Sequence, residues 1–487
     1  MRQNRHYLLV LFLVPSLTSC FQNNNQTSGK AFPNIVLIMA DDLGYGHLGC
    51  YGQEKIQTPN LDRLAAEGMR FTQAYSGSAV CAPSRSVLMT GYHAGHTPVR
   101  GNGGGASLRE EDITMAQMFK KKGYVTGLFG KWGLGAEGTA GIPNKKGFDE
   151  FFGYLHQLHA QFYYPEFLWH NQEKVFFPEN KNLAYQTYSH DLIMENATRF
   201  IEENQDTTFF CYLPLAIPHH EFIAPDSALD LYKGKFPEQP IDFWRENYAL
   251  PDEPKATMAA MISHLDFTIG NFLRQLDNLN LADNTLVIFT SDNGPAVGPL
   301  ENPDFFDAAG GLRGYKGDLY EGGLRVPFMV RWPGKIQTNS ESDQQIYFGD
   351  LFPTFADLLD LEGNHIKQLD GISVLPAILK EDGVLKRDFI YWEVGDYTRE
   401  PPFDLIPSTL MQSIRKDQWK LIRNSPESPL ELYNLEQDPK ELNNLAEQNP
   451  GLVKELYEVM IQNHQKAPPQ KDMSREEAAD KYIPTHE

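Results

Sequence analysis

The chain has 487 residues, 41% hydrophobic, 12% aromatic and 22% charged, an ordinary globular composition that excludes disordered, collagen-like and coiled-coil classes. With 43 Lys plus Arg against 64 Asp plus Glu, the formal net charge is -21 at pH 7, which excludes sequence-independent binding to nucleic acid or to an anionic membrane face. Four cysteines, Cys20, Cys50, Cys81 and Cys211, are too few for a disulfide scaffold or a zinc site built from CxxC pairs.

Arg2 and Arg5 precede an apolar run from Tyr7 to Leu17, the pattern of a secretory signal and too short to span a bilayer stably. The run ends in Leu17-Thr18-Ser19-Cys20, which resembles the bacterial lipoprotein box. That resemblance implies a lipoprotein-type signal over residues 1–20, acylation of Cys20, and a polar linker over residues 21–30. It places the protein in the bacterial cell envelope, periplasmic or on the outer membrane, with the lipid as its one membrane contact. Cys50 and Cys211 are then either buried thiols or one bridge.

Asn34 to Ala40 is a continuous apolar run, as expected for a strand buried on both faces of a parallel sheet, and it stops at Asp41-Asp42 before Gly44 and Gly46. Thr58-Pro59 opens a helix that ends at Gly68, with Pro where its missing N–H is harmless. Helical patterns follow at Thr114–Lys122, Ser189–Asn204 and Met258–Leu279. They alternate with strand-like runs at Tyr124–Leu128, Thr208–Ala216, Thr285–Thr290 and Val326–Val330. Such alternation predicts a large, mostly parallel α/β sheet flanked by helices. Past about Lys380 the texture changes: Phe389–Val394 and Met411–Arg423 read as antiparallel strands and Asn449–Gln462 as a helix. The expected organisation is a catalytic domain over residues 31–380 and a smaller C-terminal α+β subdomain over residues 381–487, whose polar stretch from Ala467 is a loose tail or extended arm.

Several motifs fall at predicted strand ends, where open α/β sheets place their ligands. Asp41, Asp42, Asp292 and Asn293 offer hard oxygen donors suited to Ca2+ or Mg2+, although Asp-Asp-Leu-Gly and Ser-Asp-Asn-Gly are each turn-prone as well. Cys81-Ala82-Pro83-Ser84-Arg85 places a thiol near a helix start and a guanidinium, a setting that favours anions. Gly130-Lys131-Trp132-Gly133-Leu134-Gly135 is a glycine-rich turn carrying one lysine, and Pro218-His219-His220 ends a strand with imidazoles able to transfer a proton near neutral pH.

Cys81 through Arg85, with Thr90-Gly91 downstream, resembles the signature of the formylglycine-dependent sulfatases of the alkaline phosphatase superfamily. The remaining motifs stand in that family's order, including Gly314-Tyr315-Lys316-Gly317 and Glu321-Gly322-Gly323-Leu324-Arg325. The resemblance implies an alkaline phosphatase-like fold and a cysteine oxidised to formylglycine by a separate maturation enzyme. It implies Ca2+, or Mg2+, held by Asp41, Asp42, Asp292, Asn293 and the modified Cys81. Arg85 would steady the hydrated aldehyde, Lys131 and Lys316 would hold sulfate oxygens, and His219 would protonate the leaving alcohol. Glu321 and Arg325 read as a structural ion pair. The family commonly has histidine where Gly133 stands; His47, His93, His96 or a water would have to take that histidine's proton.

The implied substrate is a sulfated saccharide or aryl sulfate ester, and the aromatic segment Tyr154–Trp169 reads either as a sugar-stacking surface or as a core loop. The overall negative charge does not forbid anion binding, because distant surface acids are screened over about 8 Å at physiological salt. Two other readings stand beside the sulfatase: a phosphatase or phosphodiesterase of the same superfamily, opposed by Cys81 and by the absence of histidines beside Asp41 and Asp292, and an inactive glycan-binding surface lipoprotein.

Overall fold

The computed structural model describes residues 32–102, 107–239, 241, 248–380, 385–396, 405–467 and 475–483. The signal, Cys20 and the linker lie outside the described residues. No helix among the described residues is long and apolar enough to cross a membrane.

Residues from Phe32 onward form one compact unit built on a ten-stranded sheet. Its parallel centre runs, in spatial order, Thr285–Ser291, Asn34–Ala40, Phe209–Pro214, Val125–Lys131 and Glu150–Tyr154. Antiparallel strands flank it: Phe328–Arg331 pairs with Thr285–Ser291 on one side, and Phe167–His170 followed by Glu173–Phe176 extends the other. The central strand shows why its sequence is apolar throughout. Ile35, Leu37 and Met39 enter one core cluster, whereas Val36, Ile38 and Ala40 enter the other, so the period-two alternation of side chains meets a covered face on both sides.

Pro59–Ala66, Ser189–Glu203 and Pro254–Asn278 bury their apolar stripes on the second face, and Cys81–Thr90, Met115–Lys121 and Leu351–Leu358 on the first. The expected mixed α/β class holds. A separate four-stranded antiparallel sheet, Ile390–Val394, Met411–Lys416, Trp419–Arg423 and Glu431–Asn434, is covered by the helix Pro450–Gln462 through Leu456 and Met460.

Several boundaries differ from expectation. The run Met411–Arg423 is two strands, because Asp417 adopts a left-handed φ of 53° and turns the chain. The strand predicted to stop at Leu128 continues to Lys131, because Gly130 and Lys131 pair with Gly153 and Tyr154 of the neighbouring parallel strand. Lys131 therefore ends a strand and does not float in a glycine loop. The helix predicted from Met258 starts at Pro254. Part of the stretch read as a tail is a helix, Arg475–Tyr482.

Candidate functional site

Two register facts bring the acidic motifs together. Ala40 is paired with Ser291, so Asp41 and Asp292 leave the sheet side by side, and Asp292 N–H donates to the Ala40 carbonyl at 3.1 Å. Asp42 then turns back with a φ of 62°, a conformation that aspartate tolerates through its short polar side chain. Its backbone N–H donates to Asp292 Oδ1 at 3.1 Å. Asn293 Nδ2 donates to Asp42 Oδ1 at 2.8 Å.

Cys81 is the first residue of its helix. Its Sγ lies 3.4 Å from Asp41 Oδ1 and 3.8 Å from Asp42 Oδ1. One turn on, the buried Arg85 directs Nε and Nη2 at Asp292 Oδ2, at 3.0 and 2.8 Å, and Nη1 at the Lys131 carbonyl, at 2.6 Å. Lys131 Nζ is 2.6 Å from Asp41 Oδ2, and Lys316 Nζ is 2.7 Å from Asp42 Oδ2 and 3.1 Å from His219 Nε2. Three carboxylates, Asp41, Asp42 and Asp292, thus face three cations, Arg85, Lys131 and Lys316. All nine residues singled out in the sequence converge on one buried cluster at the carboxyl edge of the sheet.

His219 Nδ1 is 3.2 Å from the His220 carbonyl, which makes Nδ1 the protonated nitrogen and leaves Nε2 to accept from Lys316. Burial first, then the Lys316 ammonium, holds the His219 imidazole well below its ordinary pKa. The turn that carries it is anchored by Tyr163, whose hydroxyl lies 2.7 and 2.9 Å from the carbonyls of His219 and Ala216. His220 turns away from the cluster and faces Glu301 at 3.1 Å. Burial also opposes the Lys316 ammonium, but Asp42 and the other anions outweigh it and leave its pKa raised. For Asp292 burial dominates, with Asp41 beside it, and its carboxyl is pushed up despite Arg85.

The carboxylate oxygens here and Asn293 Oδ1 are donors that suit a hard cation, whereas the unmodified Cys81 thiol does not. Ligand atoms of Asp41, Asp42, Cys81 and His219 all lie within 4.8 Å of one another, and the buried Asn293 Oδ1 has no hydrogen-bond partner among the described residues. An oxygen left in that state is costly unless a donor or cation meets it.

The sulfatase family profile matches residues 33–361, a stretch that covers most of the chain and contains all nine residues. The chain belongs to the sulfatase family. A second profile, N-sulphoglucosamine sulphohydrolase, C-terminal, matches residues 315–466. This sulfatase is 31% identical to the N-acetylgalactosamine-6-O-sulfatase of Bacteroides thetaiotaomicron, over 91% of this chain and 96% of that protein. It is 34% identical to human arylsulfatase A over 71% of this chain and 68% of that protein. Among solved structures, Ps i-CgsB in complex with k-i-k-neocarrahexaose aligns with a TM-score of 0.73 at 26% identity, covering 91% of this chain and 95% of that one. The protein is accordingly an enzyme, a sulfuric ester hydrolase.

Other residues of the sulfatase fall elsewhere. His93 and His96 stack on each other, ring centroids 4.0 Å apart, and His96 Nδ1 is 2.9 Å from Asp370 Oδ2. His47 Nδ1 accepts from Gly44 N–H at 2.9 Å, and burial lowers its pKa to about 3. The aromatic segment is mostly core: Tyr154 and Tyr163 are 0% exposed and Trp169 2%, so these rings are not a sugar platform. Cys50 and Cys211 are both free thiols. Arg325 pairs with Glu321, in keeping with a structural role. Sequence reading missed Asn102, whose Oδ1 accepts from Ala82 N–H at 2.8 Å at the start of the Cys81 helix; nothing in Arg100-Gly101-Asn102 marks it locally.

Proposed function

We propose that this sulfatase removes sulfate from a sulfated carbohydrate through a formylglycine made from Cys81, with Ca2+ as the resident cation. The observation that carries the reading is the placement of Cys81 Sγ against Asp41 and Asp42 at 3.4 and 3.8 Å, inside a cage of matched charge. Burial, followed by the field of Asp292, pushes the Cys81 thiol well above its ordinary pKa, so the unmodified side chain is a poor nucleophile. Oxidised and hydrated, position 81 would supply a hydroxyl nucleophile; Asp41, Asp42, Asp292 and Asn293 would hold a cation whose charge would make that hydroxyl more acidic.

The protein's own groups do the rest. Arg85 orients position 81 and holds Asp292. Lys131 and Lys316 place fixed positive charge where the equatorial sulfate oxygens gain negative charge, a preorganised stabilisation that needs no rearrangement during reaction. His219 Nε2, 3.1 Å from the Lys316 ammonium, takes a proton from that lysine and passes it to the departing sugar oxygen.

A carbohydrate substrate is supported by the Bacteroides relative, named for N-acetylgalactosamine-6-O-sulfate cleavage. We further propose export as a lipoprotein anchored at Cys20, and maturation by a formylglycine-generating enzyme. The test is peptide mass spectrometry across Cys81 in active protein, paired with hydrolysis of an aryl sulfate and an aryl phosphate. An intact thiol in active material overturns the mechanism, and faster phosphate cleavage overturns the substrate class.

A further inference from the structure

The loop that follows the strand Glu150–Tyr154 is fastened to the loop that follows Val125–Lys131. Trp132 N–H donates to the Tyr154 carbonyl at 2.9 Å and Gly133 N–H to the Leu155 carbonyl at 3.1 Å. Because the two strands are parallel neighbours, both loops lie at the carboxyl edge of the sheet that holds Lys131 and Asp41. Gly133 has a φ of 73°, and a Cβ there would fall 2.1 Å from Gln157 Nε2. The Gln157 carboxamide takes the room that a side chain at position 133 would need. That Nε2 is buried and has no hydrogen-bond partner among the described residues, a donor set for an acceptor that the fold does not supply.

The loop is held from outside by the C-terminal helix Arg475–Tyr482. Tyr482, 4% exposed, stacks on His156 with centroids 5.2 Å apart and planes at 18°, and on His159 at 4.9 Å and 14°. Lys481 pairs with Glu137. Burial, aided by Lys481 and Lys131, lowers the His156 pKa to about 4, so the stack joins neutral rings.

We propose that Gln157 is a specificity-determining residue whose Nε2–H donates to an oxygen of the sugar that carries the scissile sulfate, and that Tyr482 is the positioning residue that straps its loop in place. This rests on the sulfated-sugar reading above. A simple aryl sulfate has no such oxygen, which separates sugar recognition from sulfate chemistry.

The test assays wild type, Gln157→Ala, Tyr482→Ala and Tyr482→Phe on nitrophenyl sulfate and on the best-cleaved of a panel of monosulfated galactose, N-acetylgalactosamine and N-acetylglucosamine. Gln157→Ala is expected to lose about tenfold or more in kcat/KM on the sugar, carried by KM, and no more than about threefold on the aryl ester. Tyr482→Ala should show the same split and faster amide hydrogen exchange over residues 155–162, whereas Tyr482→Phe, which keeps the stacked ring, should do neither. Equal losses on both substrates, or none on the sugar, overturn the role of Gln157. Unchanged exchange in Tyr482→Ala overturns the strap, and that measurement needs no turnover. A wild type that cleaves the aryl ester but none of the sugars sinks the carbohydrate reading instead.

Discussion

Asn293 gives its amide nitrogen to Asp42, 2.8 Å away, and keeps its own Oδ1 buried beside the carboxylates without a partner among the described residues. That division suits a side chain that bridges an acid on one end and a cation on the other. Asn293→Leu is expected to lower cation affinity and activity by about 10–100-fold, in the range seen when metal-site residues are lost. Thermal melts of chelator-treated protein with and without added Ca2+ read it: wild type gains Tm on Ca2+ addition and the variant gains much less. Equal gains would remove Asn293 from the ligand set.

On the proposed mechanism, Cys81→Ala should retain the wild-type fold and lose at least about 10³-fold in aryl sulfate turnover, since the covalent route would be gone and only binding and charge stabilisation would remain. Wild-type chain made in a host without the maturation enzyme should match it, because the buried thiol is held protonated. Appreciable turnover by protein shown to carry the thiol would contradict both.

Lys131 is 1% exposed and its Nζ is 2.6 Å from Asp41. Lys131→Met leaves the acids one cation short at the place where the proposed mechanism brings the sulfate, and we expect kcat to drop about 10²–10³-fold, as for loss of one preorganised donor. Lys131→Arg should not rescue, because the planar fork cannot replace a compact charge in that space. Steady-state kinetics decide it; a change in KM alone would assign Lys131 to binding without transition-state stabilisation.

Glu221 accepts from Tyr163 N–H at 2.9 Å, and burial raises its carboxyl from 4.5 to about 7. The folded state therefore keeps a proton that the unfolded chain has released between those values. Stability should be greatest below pH 4.5 as far as this group is concerned, fall as pH rises through the window, and level off above about 7, by about 3 kcal/mol in all. Glu221→Gln should flatten that part of the profile. Urea unfolding at a series of pH values measures it, and a slope unchanged in the variant would assign the effect to other groups.

Lys420 places its ammonium 2.9 Å from Glu321 and 2.9 Å from Glu441, all three fully buried. The triad ties the four-stranded sheet to the segment just after Lys316. Lys420→Met would leave two buried carboxylates facing each other, and the expected loss is about 3–5 kcal/mol, read as a lower urea midpoint at constant m. A loss under about 1 kcal/mol would mean that the pair relaxes by taking up a proton.

Local pattern made much of the architecture legible. Asn34–Ala40 reads as a strand covered on both faces, and the change to antiparallel strands after Lys380 foreshadowed the second sheet. The failures were also local in origin. Gly130 and Gly133 suggested a turn where cross-strand pairing with Gly153 extends the strand, and a polar C-terminal stretch hid a helix whose one aromatic anchor, Tyr482, is defined by what it touches.

The sequence by itself determined the chemistry on offer: a cysteine in its Pro-Arg setting, hard oxygen donors, two lysines in glycine-rich segments and a Pro-His step, all but Lys316 at the end of a recognisable strand or start of a helix. Only the tertiary structure decided that Asp41 and Asp292 stand side by side, that His219 and not His220 meets Lys316, and that Gln157 occupies the space beside Gly133. The physical reason is that composition and periodicity are properties of neighbouring residues, whereas these contacts depend on strand order and register. Pairing Ala40 with Ser291 joins segments 251 residues apart in the chain, as the Asn293 to Asp42 bond does, and no local preference encodes that choice.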